Sequence, residues 1–256
     1  NCHTNQTNKS TFTQADLDFA RKVFPGLRSI VGHNLIDPLQ LSVAKPFFMT
    51  MLREPIARVI SHYQDSVLRG NNQVSFEETL RRSENLKNLQ TQLIGGESNL
   101  DKAKRALERC AFVGLTEKFD LSLRVLNGLS PWKLNLDYGR KIVARNNKVK
   151  EAIERDSRML ELAREYNKLD LALYRFAVDE IFPRLCEKAC VNPADKNPSY
   201  QSYTHEALLK FQLGRLYNRL YRQLCKVHYR NDPRPLLGNT AQDVFAPLLE
   251  KLPNRS

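Results

Sequence analysis

The sequence predicts an α/β fold, because two short apolar segments are each followed by a segment with helical periodicity. Residues 47–52 (FFMTML) and 111–115 (AFVGL) are nearly all apolar, which is typical of strands that a parallel sheet buries on both faces. Alternation of such strands with helices indicates α/β architecture. A third observation, a helical pattern from Asn147 onward, predicts a helix-rich C-terminal half. The 256 residues, 41% of them hydrophobic, suffice for a core.

The first forty residues predict one helix and one strand. Residues 1–12 are polar and are expected to be frayed. An amphipathic helix is predicted over 13–24, capped by Thr13 and stopped by Pro25-Gly26. A short strand over 27–31 would end at Gly32-His33, and a helical turn is expected over 37–43.

The middle of the chain predicts a series of helices around the second strand. Pro55 begins a helix that runs to about residue 68, because proline is favoured at the first helical position, where its missing N–H costs nothing. Further helices are predicted over 75–83, 86–94, 99–109 and 117–126, and a short strand over 132–136.

The C-terminal part is predicted to be helical up to a proline-containing tail. A polar loop over 191–203 precedes a final helix over about 204–227, and residues 230–256 contain several prolines. We therefore expect one domain over 1–229 and a Pro-rich tail over 230–256 that packs on the surface.

Composition restricts the function classes. The net charge of +12 attracts anions, which leaves nucleotides, acidic glycans, nucleic acid and anionic membranes open. No apolar run approaches the roughly 20 residues of a membrane helix. Five cysteines are too few, and an odd number, for a disulfide scaffold, so reduced thiols are expected. Four residues could in principle ligate zinc: Cys186, Cys190, Cys225 and His228. Their spacing in the sequence matches zinc sites only loosely, and the cysteines also suit ordinary helix packing, so no metal is expected.

Residues 50–63 (TMLREPIARVISHY) form the strongest candidate site. A strand would deliver Arg53 to the carboxyl edge of the sheet, where open α/β sheets bind ligands. The following helix N-terminus would offer free N–H groups to an anion, with the Arg53 guanidinium and the Ser61 hydroxyl as further donors. The residues alone leave an alternative open, in which Arg53 pairs with a carboxylate and Ser61 only faces its neighbours.

This segment resembles the 3′-phosphate-binding segment of sulfotransferases that use 3′-phosphoadenosine 5′-phosphosulfate (PAPS). The family pattern runs Leu-Arg-Asp-Pro, two residues, Arg, two residues, Ser-His/Tyr-Tyr, and Glu54 replaces its aspartate. The other positions match at Leu52, Arg53, Pro55, Arg58, Ser61, His62 and Tyr63. Three further stretches resemble the family in the same order: 88–93 (NLQTQL), 112–123 (FVGLTEKFDLSL) and 169–174 (LDLALY).

The resemblance is to carbohydrate sulfotransferases, similar to heparan sulfate 2-O-sulfotransferase and its bacterial relatives. It implies a three-layer fold like that of P-loop kinases, with a short parallel sheet, and transfer of a sulfuryl group from PAPS to a carbohydrate hydroxyl. Arg53 and Ser61 would bind the 3′-phosphate. His33, in the Gly-His pair, would be the catalytic base. Arg145, in the basic segment 137–150, would make a second phosphate contact.

One departure from the family pattern concerns the loop that holds the phosphosulfate group. The family begins with a loop like Pro-Lys-Thr-Gly-Gly-Thr-Ser, and no such stretch occurs in this sequence. We expect the loop upstream of Asn1, in an N-terminally truncated chain. The alternative is a non-catalytic nucleotide- or polyanion-binding relative that has lost the loop. A nucleic-acid partner is not expected. Bacterial origin would imply the cytoplasm, and the other possibility is the Golgi lumen with a membrane anchor upstream.

Overall fold

The structure is a computed structural model that describes residues 2–3, 14, 17–18, 21, 30–31, 41–43, 46–70, 74–132 and 147–194, with only the backbone described at 2–3, 30–31 and 85. The chain divides into two compact units. One comprises residues 45–202, and the other comprises residues 1–44 together with 203–256. The candidate segment 50–63 belongs to the first of these.

In the unit that contains the N-terminus, two short strands pair in parallel. Strand β1 (Cys2–His3) aligns with β2 (Ile30–Val31), residue for residue. The strand predicted over 27–31 is thus confirmed for its last two residues. The prediction that residues 1–12 are frayed is wrong at β1. Between these strands the described residues Gln14, Leu17, Asp18 and Arg21 are helical, as predicted for 13–24.

The larger unit contains a two-stranded parallel sheet. Strand β3 (Met49–Leu52) pairs with β4 (Phe112–Leu115), with Met49 opposite Phe112 and Leu52 opposite Leu115. Strand β4 is wholly buried, as predicted. The prediction for β3 is wrong, because the side chains of Met49 and Met51 are 55% and 40% exposed while Leu52 is 2% exposed. Strand β3 therefore buries one face.

Nine helices occupy most of the described part of this unit, so the helix-rich α/β class is confirmed. They are accompanied by two 3₁₀ turns, Glu84–Leu86 and Thr116–Lys118, and by a π turn, Ala177–Ile181. The helices are α1 (Pro55–Leu68), α2 (Phe76–Arg82), α3 (Leu89–Gly95), α4 (Leu100–Arg109), α5 (Phe119–Leu129), α6 (Lys148–Glu154), α7 (Ser157–Tyr166), α8 (Lys168–Phe176) and α9 (Phe182–Lys188).

Two hydrophobic clusters stabilise these elements. The first, the sheet cluster, joins the inner faces of β3 and β4 to α4, α5, α8 and α9, and includes Leu107, Val113, Val125, Leu173 and Phe182. The second, the helix cluster, joins α1, α2, α6 and α7, and includes Val59, Ile60, Leu80, Ile153 and Ala163. Helix α8 contributes to both, because Leu173 packs in the sheet cluster and Leu171 packs against the helix cluster.

The remaining predictions fall beyond what the structure describes. The final helix over 204–227, the tail over 230–256 and all but the first residue of the strand over 132–136 lie outside the described residues. Trp132 itself packs edge-on against Phe47, with ring centroids 5.6 Å apart. In the described ranges, no helix has both the length and the hydropathy needed to span a membrane.

Candidate functional site

The turn between β3 and α1 lies at the carboxyl edge of the sheet, as predicted, but its helix N-terminus is already capped. The Glu54 carboxylate accepts hydrogen bonds from the backbone N–H groups of Ile56 (3.1 Å) and Ala57 (2.6 Å). These are the donors that the sequence interpretation offered to an anion, so that part of the interpretation is wrong. An anion at this edge would be bound by side chains.

The Arg53 side chain is half-buried beside this turn. Among the residues that the structure describes, no carboxylate lies within ion-pair distance (4.0 Å) of its guanidinium. The alternative in which Arg53 pairs with a carboxylate is therefore not observed in this part of the chain. A guanidinium in this situation presents donors suited to phosphate oxygens.

Arg58 adds a second, more deeply buried cation. Its guanidinium nitrogen Nη2 lies 4.0 Å from the Asp170 carboxylate, and its side chain is 14% exposed. Burial lowers the pKa of Arg58 and the nearby Arg53 charge lowers this pKa further, while Asp170 opposes both effects. Arg58 is thus a second guanidinium near this edge, with the Asp170 carboxylate beside it.

Ser61 lies on the same side of α1 as Arg58 and Glu54. At about 100° per residue, positions three and seven residues before Ser61 share its helical face. Ser61 is half-buried, and no described group forms a hydrogen bond with its hydroxyl. His62 is exposed beside it, and its pKa is lowered by partial removal from water and by the Arg58 charge, against an opposing effect of Asp65.

The backbone of the turn is held by two side chains from distant segments. The Gln90 side-chain amide accepts a hydrogen bond from the Arg53 N–H and donates one to the Arg53 carbonyl oxygen, both at 2.9 Å. The Glu117 carboxylate accepts from the Glu54 N–H at 2.9 Å and from the Tyr174 hydroxyl at 2.7 Å. The peptide groups on both sides of Arg53 are therefore held by side chains from outside the turn.

Asp170 holds the N-terminus of α3, and with it Gln90. Its buried carboxylate accepts from the backbone N–H groups of Gln90 (3.1 Å) and Thr91 (2.7 Å) and from the Thr91 hydroxyl (2.8 Å). In return, Asn88 at the start of α3 accepts from the N–H groups of Leu169 (2.9 Å) and Asp170 (3.2 Å) at the start of α8. Helices α3 and α8 thus cap each other.

Sequence reasoning found the segments of this network but missed the roles of four residues in it. Gln90, Glu117, Asp170 and Asn88 all lie in stretches that were singled out for their resemblance to the family. A signal was available at Asp170, a carboxylate between two leucines in a mostly apolar helix, because such a buried charge requires partners. The pairing of Gln90 with Arg53 has no signal in a single sequence.

Two predicted site residues, His33 and Arg145, lie outside the described residues. Cys225 and His228 of the zinc alternative also lie outside them. Cys186 is buried in the sheet cluster, whereas Cys190 is exposed. In the described part of the chain, no three His, Cys, Asp or Glu side chains are grouped so that they could hold a metal ion.

Comparisons of the chain with protein-family models, curated proteins and solved structures found no significant match. The assignment of a function therefore depends on the residues of the turn, on their surroundings and on the sequence resemblance.

Proposed function

We propose that the chain is a sulfotransferase that moves a sulfuryl group from PAPS to a hydroxyl of a carbohydrate. The observation that supports this most is that the Arg53 side chain has no carboxylate partner among the described residues while its backbone is fixed. The residue stands at the carboxyl end of a parallel strand, and its backbone is held on both sides by Gln90. A fixed backbone with an uncompensated cation suits an anionic ligand.

The donor chemistry of the turn fits the 3′-phosphate of PAPS. Phosphate oxygens accept hydrogen bonds. Arg53, directly after β3, would supply a charged fork of donors, and Ser61, on the second turn of α1, would supply a hydroxyl. The Glu54 carboxylate does not compete for Arg53, because it is engaged with the N–H groups of Ile56 and Ala57. PAPS would supply the activated sulfuryl group.

The remaining assignments extend the resemblance to residues outside the described ranges. His33 would take the proton of the acceptor hydroxyl, since imidazole is suited to that task near neutral pH. Arg145 would contact a second phosphate. The fold would be the three-layer arrangement of P-loop kinases, in which ligands occupy the carboxyl edge of parallel strands.

Calorimetry with 3′,5′-adenosine bisphosphate (PAP), which PAPS becomes when it loses its sulfuryl group, and with 5′-AMP tests the 3′-phosphate site. We expect the protein to bind PAP more tightly than 5′-AMP. Arg53→Ala should weaken PAP binding by roughly 10- to 100-fold, the value of a charge-assisted hydrogen bond or two, and Ser61→Ala by about 3- to 10-fold. Neither change should weaken 5′-AMP binding comparably, because that ligand lacks the 3′-phosphate.

Two control variants match these changes in residue type. Arg69→Ala removes an exposed arginine that pairs with Asp65 at the end of α1, and Ser66→Ala removes a serine from another side of the same helix. Both should bind PAP as the wild type does. Equal affinity of the wild type for PAP and 5′-AMP would overturn the proposal. Binding that falls steeply with salt and ignores the nucleotide would instead favour a polyanion-binding relative.

A further inference from the structure

We propose that Gln90 is a positioning residue that sets the direction of the Arg53 side chain and so gives the site its preference for a 3′-phosphate. This inference depends on the proposed function. It starts from the fact that one side-chain amide bonds both backbone polar groups of Arg53, its N–H and its carbonyl oxygen, at 2.9 Å each. Fixing both groups restricts the backbone dihedrals of Arg53, and therefore the direction of its Cα–Cβ bond.

The amide is needed at this point because β4 gives Arg53 no ladder partner. The register between the strands ends with Leu52 opposite Leu115, and the next residue of the β4 chain, Thr116, donates its hydroxyl to the Leu52 carbonyl oxygen at 2.9 Å. Gln90 thus takes the place of a neighbouring strand for one residue beyond the end of β3. A residue with one donor and one acceptor on the same planar group is required for this.

Gln90 can act as a reference point because its own backbone is fixed. Its N–H is bonded to the buried Asp170 carboxylate, which also binds both donors of Thr91. The same carboxylate lies 4.0 Å from the Arg58 guanidinium. These contacts fix the position of Arg53 relative to α8. A side chain that is already held in one direction loses less conformational entropy when it binds a phosphate.

The test replaces Gln90 by glutamate, which has the same shape but no amide donor. A carboxylate oxygen then faces the Arg53 carbonyl oxygen, so the pair of hydrogen bonds is lost and replaced by repulsion. We expect Gln90→Glu to lower the ratio of PAP affinity to 5′-AMP affinity at least 10-fold. The added charge by itself also disfavours the more highly charged PAP, so Gln90→Met, which removes both hydrogen bonds without adding a charge, should lower the ratio too. A residue that only stabilises the fold would leave the ratio unchanged in the folded Gln90→Met variant.

Gln92→Glu is the matched control, because Gln92 lies on the same helix but donates its amide to the Lys87 carbonyl oxygen, 2.8 Å away. It should leave the affinity ratio unchanged. Gln90→Met against Gln92→Met makes the same comparison without the charge, and it also replaces the first pair if Gln90→Glu does not fold, as judged by circular dichroism. If the wild type prefers PAP to 5′-AMP and the Gln90 variants keep the full preference, this inference alone is overturned. A wild type without the preference would overturn the proposed function as well.

Discussion

At the scale of single residues, Asp170 is the group on which the site depends most. Its carboxylate is fully buried, accepts three hydrogen bonds from the start of α3 and lies beside the Arg58 guanidinium. A buried carboxylate is stable only with such partners, and the same partners are left unsatisfied when it is removed. Asp170 therefore connects the stability of the fold to the geometry of the turn.

We expect Asp170→Ala to lower the free energy of unfolding by about 3–5 kcal/mol, the usual cost of breaking a buried, charged network. Urea unfolding followed by circular dichroism measures this loss. Asp156→Ala is the matched control, because Asp156 caps α7 with bonds to the N–H groups of Arg158 and Met159 at the surface. The loss of that cap should cost about 1 kcal/mol. Equal losses in the two variants would contradict the role assigned to Asp170.

At the scale of elements, α1 has one face in the helix cluster and another that carries polar side chains. Ile56, Val59, Ile60 and Tyr63 are buried, whereas Arg58, Ser61 and His62 lie on the other side. The pKa of His62 is held below its ordinary value by partial burial and by the Arg58 charge. Protonation of His62 is therefore less favourable in the folded protein than in the unfolded chain.

We expect the stability of the protein to fall as the pH drops below about 6.5, with His62 as one contributor. Because the pKa of His62 is lower in the folded state, the unfolded chain binds more protons between its own pKa and the lower folded value. Urea midpoints at pH 7.5 and pH 5.5 measure the loss. His62→Gln should lose less stability than the wild type over this interval, and identical losses would contradict the prediction.

The sequence was sufficient to locate most elements of the described part, because each has a local signal. Proline at the first helical position located α1, and the apolar run of β4 located a buried strand. The exposure of Met49 and Met51 could not be foreseen, since an apolar run does not tell which side of a strand receives a covering layer. Capping by Glu54 was missed because glutamate is not among the preferred capping residues.

The candidate site was predictable only where it depends on local sequence patterns. Arg53 and Ser61 were singled out from the local pattern of one strand and one helix. In the structure Arg53 directly follows β3, and Ser61 lies on α1. Gln90 and Glu117 act across 37 and 63 residues of chain. Contacts at that distance depend on how α3 and the end of β4 pack, and periodicity in one sequence contains no such information.

At the scale of the whole molecule, the burial of the thiols provides a measure of whether the larger unit is folded. Burial raises the pKa of Cys110 to about 11, and it also raises the pKa of Cys186 against the opposing charges of Lys118 and Arg124. Cys190 is exposed at the end of α9. The thiolate is the reactive form, so these cysteines differ in reactivity as long as the fold is intact.

We expect iodoacetamide at pH 8 to modify Cys190 readily in the native protein and to leave Cys110 and Cys186 largely unmodified. At that pH only about a thousandth of a thiol with a pKa near 11 is ionised. Peptide mapping by mass spectrometry gives the extent of modification at each position. In denaturing urea all three should react at similar rates. Rapid native labelling of Cys110 would contradict the packing described for the segment before β4.

The capping between α3 and α8 has a consequence for how this protein is made. Hydrogen bonds to the turn from Gln90 and Glu117 depend on Asp170 and Tyr174, which lie more than a hundred positions after Leu52 in the sequence. During translation, Arg53 and Ser61 leave the ribosome long before these partners are synthesised. A nascent chain that already contains Arg53 and Ser61 would thus lack the side chains that fix the turn, and the anion binding that we propose for the turn would begin only once α8 has emerged.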